Sequence, residues 1–319
     1  MKNLFVLLML FPFLALSQNT DYKKAEDYFK KEQFEKAKPI FQQYLRSHPT
    51  DIKTQEYLGD IAGYSKDWDT AIDYYEKLVE HDPKNATYHF KYGGSMGMKA
   101  LEINKLRALT MIDDIKEHFT KAAELDPKHI DTRWALVELY MQLPGIVGGS
   151  EKKALHYADE LEKISAVDGY LAKGYIAEES DRKEDAERFY KKAVAIGKSP
   201  HTYEKLSEHY EKNDQPKEAI QTASTSLKLH KRNQTNYQIG KIAAEYNMEA
   251  ELGISSLKRY VKNHTVRDGV PVDWAYYRMA QIYRNLGDKT SAKYYIELAL
   301  NDRPDFEQAL EEKDKIQRM

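Results

Sequence analysis

An all-α array of helix–turn–helix units is the fold class this sequence predicts, on three observations. Pro49 and Pro83 stand one interval apart (83 − 49 = 34). Ala25 and Gly59, Ala37 and Ala71, and Phe41 and Tyr75 keep the same interval, so small residues and aromatics recur in register. Charged residues make up 31% of the 319-residue chain and hydrophobic ones 41%, which suits helices with one dry stripe and one wet face. A period of about 34 residues marks stacked helix pairs, each burying its apolar face on the next. In such a stack each unit contacts only its neighbours, so one repeat array replaces the two domains that length alone would suggest.

The clearest unit runs from Thr54 to Pro83. Leu58-Gly59 lies in the middle of a first helix, and Ala71, Tyr75 and Leu78 follow at i, i+4 and i+7 on one stripe of a second. The turn between them, Ser65-Lys66-Asp67-Trp68-Asp69, is polar and short, with Asp67 or Asp69 as N-cap. His81-Asp82-Pro83 ends the second helix, because the residue before a proline is pushed out of the α region. Gly59 and Ala71 are small so that the two backbones can approach. A larger side chain at either point overpacks the crossing, at a cost of ~1–3 kcal/mol.

In these positions the chain resembles the tetratricopeptide-repeat (TPR) family. The first-helix small-residue column reads Ala25, Gly59, Gly93, Val137, Gly174, Ser207, Gly240 and Ala280. Three residues after each stand Tyr28, Ala62, Met96, Tyr140, Ala177, Tyr210, Ala243 and Tyr283. The second-helix small residue is Ala37, Ala71, Ala154, Ala186, Ala219 or Ala292, with Ile115 and Gly253 as departures. Four residues further come Phe41, Tyr75, Phe119, Ala158, Tyr190, Ala223, Leu257 and Ile296. The resemblance covers nearly everything after residue 20. It implies a TPR-type right-handed α-solenoid of about eight helix pairs over residues 18–319. The charged segment from Phe306 to Arg318 reads as the capping helix that a solenoid end needs.

Irregularities are expected at 97–114, 142–153 and 262–273. The interval from Pro83 to Pro127 exceeds the period by ten (127 − 83 = 44), which is expected to lengthen the helices around Met98–Met111. The stretch from Gln142 to Ser150 is too rich in proline and glycine to be helical. Lys262–Asp273, with Asp268-Gly269 and Pro271, precedes the last pair.

Residues 1–17 read as a signal peptide. Lys2 is followed by an uncharged apolar run from Leu4 to Leu16, and Ala15-Leu16-Ser17 before Gln18 fits a signal-peptidase site. The run falls short of the ~20 residues of a spanning helix, and a retained anchor is the competing reading. The expected location is therefore exported: periplasmic, or secreted. A formal charge of −2 argues against generic nucleic-acid binding. The absence of cysteine removes disulfides, CxxC zinc sites and thiol catalysis together.

No constellation for bond chemistry stands out. The ten histidines include no HExxH, and His81/His89 and His201/His209 are eight apart with no third ligand at metal spacing. Gly93-Gly94-Ser95-Met96-Gly97 lacks the GKS or GKT of a phosphate loop and reads as close helix packing. Gly148-Gly149-Ser150 before Glu151 could present N–H groups to an anion, but Ser150 also serves as an N-cap and Glu151 repels one. No catalytic residue, metal ligand or cofactor is expected, and the chain is not expected to be an enzyme.

What the resemblance implies is binding, since first helices line the concave face of a TPR stack. Three residues before the small residue stand Tyr22, Glu56, Phe90, Trp134, Leu171, Glu204, Tyr237 and Tyr277. One residue after it stand Glu26, Asp60, Gly94, Glu138, Tyr175, Glu208, Lys241 and Gln281. The first column is mainly aromatic and the second half acidic. Glu204, Glu208 and Glu211 place one carboxylate per turn on one face, repelling by a few tenths of a kcal/mol per pair. A protein or peptide partner of basic character would relieve that repulsion, and aromatics could stack on its Arg or Lys. The expected contacts are Tyr22, Glu26, Glu56, Asp60, Trp134, Glu138, Tyr175, Glu204, Glu208 and Glu211. The expected function is a non-enzymatic interaction scaffold. The alternative is a periplasmic solute-binding or transport accessory with a small-ligand pocket near the irregular Met98–Ser150 stretch.

Overall fold

The computed structural model describes residues 20–319, so the signal peptide expected at 1–17 lies outside the described residues. Among them are 18 α-helices and no strand: the chain is an all-α repeat solenoid. It divides into two units, Met1–Glu160 and Leu161–Met319, with the boundary inside one helix.

In the first unit the helices are α1 (20–30), α2 (Phe34–Ser47), α3 (Ile52–Tyr64), α4 (Trp68–His81), α5 (Ala86–Glu102), α6 (Lys105–Leu109), α7 (Ile112–Leu125), α8 (Ile130–Gln142) and α9 (Glu151–Ile164). The antiparallel pairs within it include α3 with α4 and α5 with α7. The second unit holds α10 (Ala166–Glu179) with α11 (Lys183–Gly197), α12 (Pro200–Lys212) with α13 (Pro216–His230), α14 (Asn233–Glu245) with α15 (Ala250–Lys262), and α16 (Val272–Asn285) with α17 (Lys289–Asp302). The last helix, α18 (Glu307–Gln317), packs on α17 and α16 through Phe306, Ala309 and Ile316. Its one inward acid, Glu312, is fully buried and meets Arg284.

The small-residue columns form the core. Gly59 faces Tyr75, Gly93 faces Phe119, Gly174 faces Tyr190 and Gly240 faces Leu257, so each first-helix glycine meets the residue four after the second-helix small position. A Cβ on Gly174 would stand 2.5 Å from the Tyr190 ring. Such contact is what lets bulky side chains from one helix fill the space left by the other. Gly253, a departure from alanine, lies where a Cβ would come within 2.5 Å of Ala243.

One turn geometry recurs in both units. Glu32, Lys66, Asp181 and Asp214 are left-handed, with φ between 54° and 58°, and Asn247 and Gly287 occupy the equivalent place. The next residue's N–H then bonds back to the first helix: Gln33 to Tyr28 O, Asp67 to Ala62 O, Arg182 to Ala177 O, Gln215 to Tyr210 O, Met248 to Ala243 O, Asp288 to Tyr283 O. A left-handed residue there satisfies a helix-end carbonyl that would otherwise be orphaned. As expected, Asp67 caps α4, accepting from Thr70 N.

The irregular stretches differ in detail from expectation. The ten extra residues lengthen only the first helix, carrying α5 to Glu102, and then form the separate helix α6, because Ile103 is extended and Asn104 caps a new start. The Pro144–Ser150 loop holds one 3-10 turn, Gly145–Val147. Its N–H groups are consumed internally: Gly148 to Gly145 O, Gly149 to Pro144 O and Ser150 to Tyr140 O. Lys116 Nζ donates to Val147 O from α7, and Ser150 Oγ accepts from Lys153 N. The N–H groups of that glycine pair and Ser150 are thus unavailable to an anion, and Ser150 does act as a cap. Between α15 and α16, Asn233 Nδ2 pins the loop by donating to Tyr260 O and Asp268 Oδ2.

Candidate functional site

First helices carry the candidate site because their other flank is sealed by the glycine crossings. In the first unit, Tyr22 is built into its own pair, its ring 4.5 Å from Tyr44 and 5.5 Å from Phe41. Burial there raises its phenol pKa. Glu26, one turn on, accepts from Tyr57 Oη at 3.0 Å. Glu56 accepts from Lys53 and Lys91, both at 3.0 Å, and Asp60 accepts from Lys91 at 2.7 Å and Tyr75 Oη at 2.6 Å. Burial would raise the Glu56 carboxyl, but the bonds from Lys91 and Lys53 outweigh it and hold the group below the ordinary value. Lys91 answers in kind: burial alone would lower it, and Asp60 and Glu56 bring it above the usual lysine value.

Trp134 is half-buried and Glu138 exposed on α8. Beside them the buried Arg133 donates to Glu160, to Asp126 O, to His129 O and to Ala123 O, a hub that column reading did not single out.

In the second unit Tyr175 is half-buried on α10. Glu178 on the same helix takes His209 Nδ1 at 2.9 Å and Lys212 at 2.7 Å from α12. The three carboxylates of α12 fare differently. Glu211 is held by Lys241 at 2.7 Å and by Gln238 at 3.3 Å. Glu208 meets Lys205 at 2.8 Å on its own helix, an exposed pair of little net worth. Glu204 has only His201, at 3.9 Å. The structure thus joins Glu56 with Asp60 through Lys91 and ties Glu211 to α14, relieving within the chain much of the repulsion expected along these columns.

The missed residues are the cations. Lys91 follows Glu56 by 35 residues and Asp60 by 31, and Arg278 reaches back 33 residues to Glu245. Each spans about one period, so consecutive first helices are cross-braced by polar contacts. Charge alternation at that period was the available signal.

No group of three or more metal-ligating side chains occurs among the described residues, and no described helix is long and apolar enough to cross a membrane. The depression in the irregular middle, lined by Asp113, Lys116, Glu117, Thr120, Lys121 and Glu124, is an open trough on α7 alone.

Comparison with known proteins agrees with this architecture. Residues 22–86 match the tetratricopeptide repeat, as do residues 167–196 and 275–306. No curated protein matches. A tetratricopeptide repeat protein from Parabacteroides merdae has a similar fold at TM-score 0.53 and 13% identity, over 95% of this chain and 99% of that one. YrrB, a TPR protein with an unusual peptide-binding site, aligns at TM-score 0.44 and 18% identity, over 61% of this chain and 97% of that one. Fold and matched segments together define the class: an all-α repeat solenoid that carries tetratricopeptide repeats in both units. Repeats of this kind serve protein–protein interaction and are in general non-catalytic.

Proposed function

We propose that the protein is an exported, non-enzymatic scaffold that holds an extended segment of a partner protein against its first helices. The observation that carries this reading is the cross-bracing of successive first helices by Lys91 in one unit and Lys241 in the other. Those contacts fix the relative position of side chains one repeat apart, which is what a rigid binding face requires. Basic character in the partner is supported at α12, where the ion pairs of Glu204 and Glu208 are with His201 and Lys205 of their own helix and not with the next repeat. At Glu56, Asp60 and Glu211 a basic partner would have to compete with the chain's own lysines.

The test is binding of a basic-peptide library to wild type and to Glu204→Lys/Glu208→Lys. Weaker binding by the variant is expected; equal binding removes this patch from the site. Export rests on Lys2, the apolar Leu4–Leu16 run and Ala15-Leu16-Ser17, most simply toward a bacterial periplasm. N-terminal sequencing of the mature protein should begin at Gln18, and an intact Met1 would contradict it.

A further inference from the structure

An open trough of about 570 Å³ lies in the first unit between α2, α3 and α4. That is within the ~300–1,000 Å³ of ordinary ligand sites. Leu45 and Tyr74, both half-buried, form its apolar part and rest on the core beneath. Arg46 enters from α2 and Lys77 from α4, both exposed, and no acid stands among the lining residues. Neither cation makes an ion pair among the described residues. Lys77 Nζ lies 5.6 Å from the centre of the Tyr74 ring, a weak contact that leaves its charge uncompensated. A buried acceptor in the same lining adds a second demand. Gln55 is 8% exposed, and its amide nitrogen donates to Pro49 O at 2.9 Å, which fixes the amide one way round. Its carbonyl oxygen is left buried without a partner, a costly state that a donor seated in the trough would relieve. The trough therefore suits a ligand that brings an anion for Arg46 and Lys77 and an N–H for Gln55. An acidic residue within a peptide carries both, in its carboxylate and its backbone amide.

We infer that this trough binds an acidic segment of a partner chain, with a Glu or Asp carboxylate held by Arg46 and Lys77 and a backbone N–H given to Gln55. The Arg46 guanidinium supplies a planar fork that matches a carboxylate, and Lys77 adds a point charge from the facing helix. An apolar neighbour in the segment covers Leu45 and Tyr74. The site lies between the second helices of the first two pairs, apart from the first-helix carboxylates that suit a basic segment.

The test is a titration of the full chain, isotope-labelled for NMR, with the capped peptide acetyl-Gly-Leu-Glu-Ala-Gly-amide, following the side-chain amide signal of Gln55. Saturable shifts are expected, with affinity at least ~10-fold weaker when Gln replaces the peptide's Glu. That comparison needs no variant of the protein. Arg46→Gln/Lys77→Gln should weaken binding at least as much with the melting temperature unchanged, since both side chains are exposed. Lys23→Gln/Lys30→Gln removes two exposed charges from α1 and should leave binding as it was. Equal binding of the Gln peptide, equal weakening by the Lys23/Lys30 variant, or no saturable shift would each overturn the inference. Acetate bound as tightly as the peptide would assign the trough to a small carboxylate and overturn the peptide. The basic-peptide library probes the first helices separately, so either reading can fail alone.

Discussion

Lys91 Nζ lies 3.0 Å from Glu56 and 2.7 Å from Asp60, so one lysine of the third repeat holds two acids of the second. All three side chains are between 16% and 23% exposed, which puts the network between surface and core. Removing the lysine leaves two half-buried carboxylates facing each other, and Lys91→Met is expected to cost about 1–3 kcal/mol. The sign with pH follows from the shifts. Glu56 sits below its ordinary 4.5, so its contribution is present above that value and is lost as pH falls through the folded value. Lys91 sits above its ordinary 10.5, so its contribution is present below that value and is lost as pH rises through the folded value. Urea unfolding of wild type and Lys91→Met should therefore differ most near neutral pH and converge at both extremes.

The glycine crossings separate packing from propensity. A Cβ on Gly240 would stand 2.2 Å from Leu257 Cγ, and Leu257 is fully buried. Gly240→Ala gains up to ~1 kcal/mol of helix propensity but should lose ~1–3 kcal/mol to overpacking, for a net fall in stability. Gly97, inside α5, has nothing within 4 Å of its Cβ position. Gly97→Ala should raise stability by up to ~1 kcal/mol. Calorimetric melting of the two variants tests the register, and a stabilised Gly240→Ala would refute it.

These crossings were legible in the sequence because packing is recorded directly in residue size: Ala25, Gly59, Gly174 and Gly240 are small for one reason, repeated. The chemistry of the first-helix faces was less so. Reading columns counts Glu56 and Asp60 as acids but misses Lys91, which stands two residues before Gly93 and in neither column. The composition of the Pro144–Ser150 loop excluded a long helix, yet its N–H groups are spent on Gly145, Pro144 and Tyr140, which only the folded path reveals. Most of the recurring left-handed turn residues were hidden too, since Glu32 and Lys66 carry no conformational signature where Gly287 does.

That turn gives a third prediction. Lys66 adopts φ 58°, a region costly for a residue with a Cβ, whereas Gly287 fills the equivalent place in the last pair. Lys66→Gly should relieve the strain and stabilise the fold by about 0.5–1 kcal/mol after the entropy cost of glycine in the unfolded chain. The midpoint of urea unfolding should rise. A fall would mean that the Lys66 side chain contributes more than its backbone costs.

The last prediction concerns acid sensitivity. His89 Nδ1 and His118 Nδ1 are 2.8 Å apart, and His89 Nε2 faces Pro83 O at 3.1 Å. The carbonyl requires the His89 proton on Nε2, so His89 Nδ1 accepts and His118 Nδ1 donates. The site left for a further proton on His118 is Nε2. Burial first, and His89 second, hold His118 below its ordinary 6.5; Glu117 and Asp114 on α7 oppose this, and the Tyr92 ring from α5 covers it edge-on at 4.6 Å. The unfolded chain therefore binds protons more readily once pH drops below the ordinary histidine value, and stability declines from there toward the folded pKa. His118→Asn places an amide nitrogen where Nδ1 stands, so it keeps a hydrogen-bond donor toward His89 and removes the titration. Its melting temperature should fall less than that of wild type between about pH 7 and about pH 5. Parallel falls in the two proteins would show that acid acts elsewhere, on carboxylates such as Glu178 and Glu56 that the native state holds ionised.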